Sequence, residues 1–176
     1  DDVYQMLIYP KGAYILHMIR MMMIDRKMGD QRFKAMMQDF VKTYANQPAT
    51  TEDFKAMAEK YMSPEMDIDG NHRLDWFFNE YVYGTALPNY KLDYSFADAP
   101  DGLQFKLKVS QSGVDQNFKM LVPVYLEMND GRLLSIGRAR LLGNTAVEQT
   151  VSLKGWKEKP KRAVVNYYDD VLAGGN

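Results

Sequence analysis

The sequence predicts an α+β protein, a helical first half followed by a small antiparallel β-sandwich. Two observations carry this. Up to Val82 the apolar residues recur every three to four positions, and from Asn89 they recur every second position. The second half is also punctuated by turn sequences, Asp101-Gly102, Ser112-Gly113, Asn129-Asp130-Gly131 and Gly143-Asn144, as short strands joined by tight connections require. The expected organisation is a helical part over 1–87, a β-sandwich over 88–172 and a loose tail over 173–176.

Each element has its own signal. Pro10 fits the first turn of a helix, where its missing N–H costs nothing, so the first helix is expected from Tyr9 or Pro10 to Met28, with Gly29 as its C-cap. Asp30 reads as the N-cap of a second helix, on which Phe33, Met36, Met37, Phe40, Val41 and Tyr44 form one apolar stripe. Thr50 and Thr51, followed by Glu52 and Asp53, start a third helix with Phe54, Met57, Ala58 and Tyr61 on its buried face. Ser63-Pro64 ends it. A fourth helix carries Leu74, Phe77, Phe78, Tyr81 and Val82, is ended by Gly84 and cannot continue through Pro88. The strands are expected around Tyr90–Phe96, Leu103–Val109, Met120–Met128, Leu133–Leu142, Val147–Leu153 and Ala163–Asn166.

Composition narrows the function. The hydrophobic fraction of 46% over 176 residues supports a real core, and a net charge of -1 gives no pull toward nucleic acid or an anionic membrane surface. The run from Ala13 to Ile24, broken by His17 and Arg20, is too short and too polar to span a membrane. It is apolar nearly all the way round, so its helix needs cover on every side and is expected to self-associate where it lacks it. The absence of cysteine excludes disulfides and thiolate zinc sites. The methionines Met18, Met21, Met22 and Met23 read as core packing, His17 as a core histidine, and Trp76, Phe77 and Phe78 as core. Asp67, Asp69 and Asn71 fall at the first, third and fifth positions of a calcium loop. His72 and Phe78 stand where that loop needs Gly and Glu, so an EF-hand is rejected; a polar loop capping the fourth helix is expected, with a weak cation site as the alternative. Lys154 to Arg162, broken by Glu158 and Pro160, reads as a solvated edge.

Tyr9-Pro10-Lys11-Gly12-Ala13, opening an apolar helix, resembles the Tyr-x-Lys-Gly segment of the M1 family of zinc aminopeptidases, the gluzincins. Gly29-Asp30-x-x-Phe33, Thr50-Thr51-x-Asp53-Phe54, Leu74-Asp75-Trp76-Phe77-Phe78 with Gly84 and Pro88, and Val109-Ser110-Gln111 with Phe118 and Val122-Pro123-Val124 follow in the family's order. The resemblance implies the four-helix end of a gluzincin catalytic domain followed by its small antiparallel β-sandwich domain. The chain is then expected to be the C-terminal portion of a longer enzyme that hydrolyses N-terminal residues from peptides through zinc-activated water. The family's His-Glu-x-x-His has no counterpart here, since the only histidines are His17 and His72. Zinc is therefore expected in the parent and not in this chain, the chain alone is expected to be inactive, and its partners are a peptide substrate and the upstream part of its own catalytic domain. By the same resemblance Tyr9 donates a hydrogen bond to the oxyanion of the reaction. Tyr4 matches a second tyrosine found at that spacing in some members, lining the pocket or supporting residues that do. The alternative reading is a non-enzymatic interaction module of helical bundle and β-sandwich.

Overall fold

A computed structural model describes the backbone of residues 2–174 and the side chains of residues 10–174. It is an α+β structure of four helices and two antiparallel three-stranded sheets, and it divides into compact units Asp1–Thr85 and Ala86–Asn176.

In the helical unit, α1 runs Asp2–Met23, α2 Gln31–Thr43 and α3 Thr51–Tyr61. A 3-10 turn at Pro64–Met66 precedes α4 (Asp75–Phe77), which continues as a π-helical turn over Phe78–Val82. Two boundaries differ from the sequence expectation. The first helix begins before Pro10, which lies inside it, and it stops at Met23 and not at Met28. The early stop has a local cause. The Asp25 carboxylate accepts from the backbone N–H groups of Lys27 (2.8 Å) and Met28 (2.7 Å), taking them away from a helical ladder. Asp25 and Gly29 then exchange both backbone hydrogen bonds, a closure that places Gly29 at φ 57°, so Gly29 closes a turn and does not cap the helix.

Asp30 stands at the N-cap of α2 without capping it. Its carboxylate holds Arg20 (2.9 Å) and Lys34 (3.1 Å) instead. Thr50 does cap α3, in a capping box with Asp53: Thr50 Oγ1 accepts from Asp53 N, and Asp53 Oδ2 accepts from Thr50 N at 2.8 Å. Between α2 and α3, Lys60 and the Tyr61 hydroxyl both donate to Asp39 (2.7 and 3.0 Å). The core of the unit is rich in sulfur and aromatics. Met18, Ile19, Met22 and Met23 of α1 are buried together with Met36, Met57, Met66, Leu74, Trp76, Phe77, Phe78 and Tyr81. Val41, on the expected stripe of α2, is exposed; the stripe is wider than the surface that covers it. Tyr14, Ile15, Leu16 and Met21 of α1 are half-buried.

In the β unit, β1 (Asn89–Ala99), β2 (Gly102–Ser112) and β5 (Thr145–Lys154) form one sheet in the order β1-β2-β5. The other sheet, β4-β3-β6, comprises β3 (Lys119–Glu127), β4 (Leu133–Leu142) and β6 (Arg162–Val165). On β2 the alternation is clean: Leu103, Phe105, Leu107, Val109 and Gln111 are buried, and Gln104, Lys106 and Lys108 are exposed. On β3 every residue from Met120 to Leu126 is buried, so both of its faces are covered. Leu107 and Val151 of one sheet and Val124 and Ala139 of the other line a small gap of about 70 Å³, which marks the inner layer between the sheets. The segment after β6 supplies the outer cover. The rings of Tyr167 and Tyr168 lie edge-on to Tyr125, at 6.5 and 5.4 Å.

Pro123 sits in the middle strand of its sheet, a position that normally needs an N–H. Its carbonyl accepts from Asn166 N, one residue past the end of β6. In an antiparallel strand the N and C=O of one residue point the same way, so the missing donor of Pro123 falls where the β6 ladder has already ended. Between Val124 and Tyr125 the register with β4 shifts by a bulge at Ile136. Gly174, in the tail expected to be loose, donates its N–H to the Pro88 carbonyl at 2.8 Å.

Candidate functional site at the start of the first helix

The backbone of Tyr4 and Tyr9 lies in the opening turns of α1. Their side chains fall outside the described residues. What is described is how this end of the helix is held. Lys11 reaches across the unit and donates from Nζ to the carbonyl of Gly84 at 3.1 Å and, more loosely, of Val82 at 3.4 Å. The Val82 carbonyl ends the π-helical turn, where the last acceptors of a helix lack partners and the helix dipole is negative, and Gly84 follows just past the C-cap. An ammonium group suits both demands. Gly84 is fixed in its turn. A Cβ built there would sit 2.4 Å from the Glu80 carbonyl oxygen, so the chain passes too close for any side chain.

Lys11 and Gly12 thus part company. Lys11 makes the long-range tie, whereas a Cβ at Gly12 would meet nothing within 4 Å and the residue is exposed. One turn further on, Tyr14 and His17 meet edge to face at 5.9 Å.

Among the described residues of the helical unit the most deeply placed charge is Lys55, which is buried and bonded to Asp75, with Glu52 at 3.7 Å and the Phe78 ring below its ammonium. The Asp75 hydrogen bond holds the Lys55 ammonium above its ordinary value, against the opposing effect of burial, and Lys55 in turn holds Asp75 below the usual carboxylate range. A lysine that acts as a base or nucleophile must be shifted the other way. Lys55 is an ion-pair anchor that ties α3 to α4.

The Asp67 loop is closed on itself. Asp67 accepts from the backbone N–H of His72 (3.0 Å) and lies 3.2 Å from its Nδ1, and Asn71 accepts from Arg73 N (2.9 Å). Glu59, from α3, supplies the cap at the start of α4 by accepting from Leu74 N (2.9 Å). Among the described residues no group of three or more His, Cys, Asp or Glu side chains is placed to hold a metal ion. Nor, among them, is any helix long and apolar enough to cross a membrane.

The β unit offers a shallow depression of about 400 Å³ on the outer face of β1-β2-β5. Asp93, Lys108 and Glu148 stand side by side across its strands, with Lys108 and Glu148 3.0 Å apart. This is a cross-strand ion-pair row. The chemically unusual group of this unit is elsewhere. Asp170 is buried and accepts from the Tyr125 hydroxyl at 2.7 Å and, more weakly, from Tyr168 N at 3.3 Å. Burial, and then the bond to Asp170, push the Tyr125 hydroxyl far above its ordinary value of about 10. Asn166 braces the same segment by pairing its amide with both backbone groups of Val171 (2.7 and 2.8 Å).

Sequence reasoning passed over Lys11 as a long-range donor and the Tyr125–Asp170 pair. The first bonds to carbonyls, which leave no trace in a sequence. The second joins residues far apart in the chain. Compared with known proteins, the chain matches no protein-family model and no curated protein.

Proposed function

We propose that this chain is the C-terminal portion of a zinc-dependent aminopeptidase of the M1 type, carrying the end of its helical catalytic domain and its β-sandwich domain. Tyr9 supplies the oxyanion donor. The observation that carries this reading is a meeting of two segments that bear the resemblance. Lys11, of the Tyr9-Pro10-Lys11-Gly12 segment, bonds to the carbonyls of Val82 and Gly84, at the end of the Leu74-to-Gly84 segment. The α+β architecture, helices first and antiparallel sheets second, is the one the resemblance implies.

When bound, zinc supplies the Lewis acidity of such a reaction, and by the resemblance it is held by residues outside this chain. The part assigned to this chain is electrostatic. A phenol keeps its proton at neutral pH, so Tyr9 can donate to an oxygen as negative charge grows on it. One such preorganised donor in a site that excludes water lowers the barrier by about 3 kcal/mol, roughly 100- to 1000-fold in rate. The peptide substrate and the upstream part of the catalytic domain are the partners of this reading.

Its test compares this chain with the same chain extended upstream in its natural sequence, measuring zinc by elemental analysis and the hydrolysis of alanyl- and leucyl-arylamides. The extended form is expected to bind zinc and cleave, and this chain to do neither. An extended form without zinc and without cleavage would return the chain to the interaction-module reading.

A further inference from the structure

We infer that Lys11 is a positioning residue for Tyr9, latching the opening turns of α1 to the chain at and just past the end of the π-helical turn, Val82 and Gly84. The inference rests on the aminopeptidase reading above.

The need for a latch follows from the residues around it. Pro10 lies inside α1 and has no N–H to give to the carbonyl four residues earlier. Gly12, two positions on, is a poor helix former with open space beside it. The helix is therefore weakest where it passes Tyr9, and a missing rung is where helices bend. Lys11 lies between the two weak residues. Its ammonium bonds to Gly84 and Val82, more than 70 positions along the chain.

The receiving end is firm. Gly84 is wedged against the Glu80 carbonyl, and the turn before it is rooted by buried Trp76, Phe77, Phe78 and Tyr81. The opening of α1 is thus referenced to the packed core of the unit by a route that does not run through its own interrupted helix. A tyrosine that stabilises a transition state must hold its hydroxyl to within about 0.5 Å, and a loosened helical turn does not do this. The ammonium is occupied by carbonyls and acts on chemistry only through the backbone it fixes.

The test uses the natural full-length protein with Lys11→Met, Lys11→Arg and Tyr9→Phe. Methionine keeps the stem and loses the donors; arginine keeps donors that can serve both carbonyls. Amide hydrogen exchange of residues 5–12 should quicken about tenfold in Lys11→Met and return in Lys11→Arg. In the same pair, kcat for arylamides should fall about 10- to 100-fold and then recover, with KM within about twofold. Unchanged exchange refutes the latch. Faster exchange with unchanged kcat, in a protein where Tyr9→Phe is impaired, refutes the positioning role. A wild-type protein that does not cleave at all overturns the aminopeptidase reading and the positioning role with it, and the exchange result then describes a structural tie alone.

Discussion

Changing Tyr125 to Phe removes one hydroxyl from the β unit and leaves the buried Asp170 carboxylate, among the described residues, with only the long contact from Tyr168 N. A hydrogen bond to a charged group contributes about 1.5–3 kcal/mol, and a buried acceptor left short of a donor adds its desolvation cost. The ring itself keeps its packing against Tyr167 and Tyr168. The expected loss is about 3 kcal/mol, on the order of 100-fold in the folded-to-unfolded ratio. Urea unfolding of wild type and Tyr125→Phe at neutral pH reads it directly. A second, independent signature lies in alkali. The folded value of Tyr125 is raised, so its contribution is fully present below pH 10 and is lost as pH rises from there toward the folded value. The unfolded tyrosine ionises at about 10 while the folded one does not. Between pH 9 and pH 11 the stability gap between wild type and variant should therefore narrow by about 1.4 kcal/mol. The other tyrosines are common to both proteins and cancel. A loss below about 1 kcal/mol with a gap constant in pH would mean that water already serves Asp170, and the buried pair would be refuted.

Two further predictions concern the helical unit. Thr50→Ala removes the capping box of α3 and should cost about 1 kcal/mol in thermal or urea unfolding, whereas Thr50→Ser should cost a few tenths; equal losses would show that the methyl group and not the hydroxyl matters. Gly84→Ala forces a Cβ against the Glu80 carbonyl and should destabilise by about 2–3 kcal/mol, while Gly12→Ala, with nothing within 4 Å, should stabilise by up to about 1 kcal/mol; the reverse ranking of the two unfolding midpoints would contradict the backbone geometry given for both.

The division into helical and β parts was legible because the apolar period changes, and a period is a property of sequence alone. The capping box at Thr50 and Asp53 and the turn at Asn129-Asp130-Gly131 were legible for the same reason: their partners are neighbours in the chain. What was not legible depended on competition or distance. The end of α1 was decided by the Asp25 carboxylate outbidding the helix for two N–H groups. The π-helical turn at Phe78–Val82 shares its apolar spacing with an α-helix, so the pattern could not separate them. Asp30 looked like a cap until Arg20 and Lys34 were placed around it. Tyr9 and Tyr4 entered through the family resemblance, since a lone tyrosine has no chemical signature of its own. Lys11, two positions after Tyr9, was not legible as a long-range donor because its acceptors are main-chain atoms of a distant turn.

The central claim is that Tyr9 donates to an oxyanion in an aminopeptidase, and the most direct measurement is kcat for an alanyl-arylamide in the full-length protein with Tyr9 and with Tyr9→Phe. The account predicts a fall of roughly 100- to 1000-fold with zinc content unchanged. A Tyr9→Phe protein that binds zinc and turns over at the wild-type rate would contradict it.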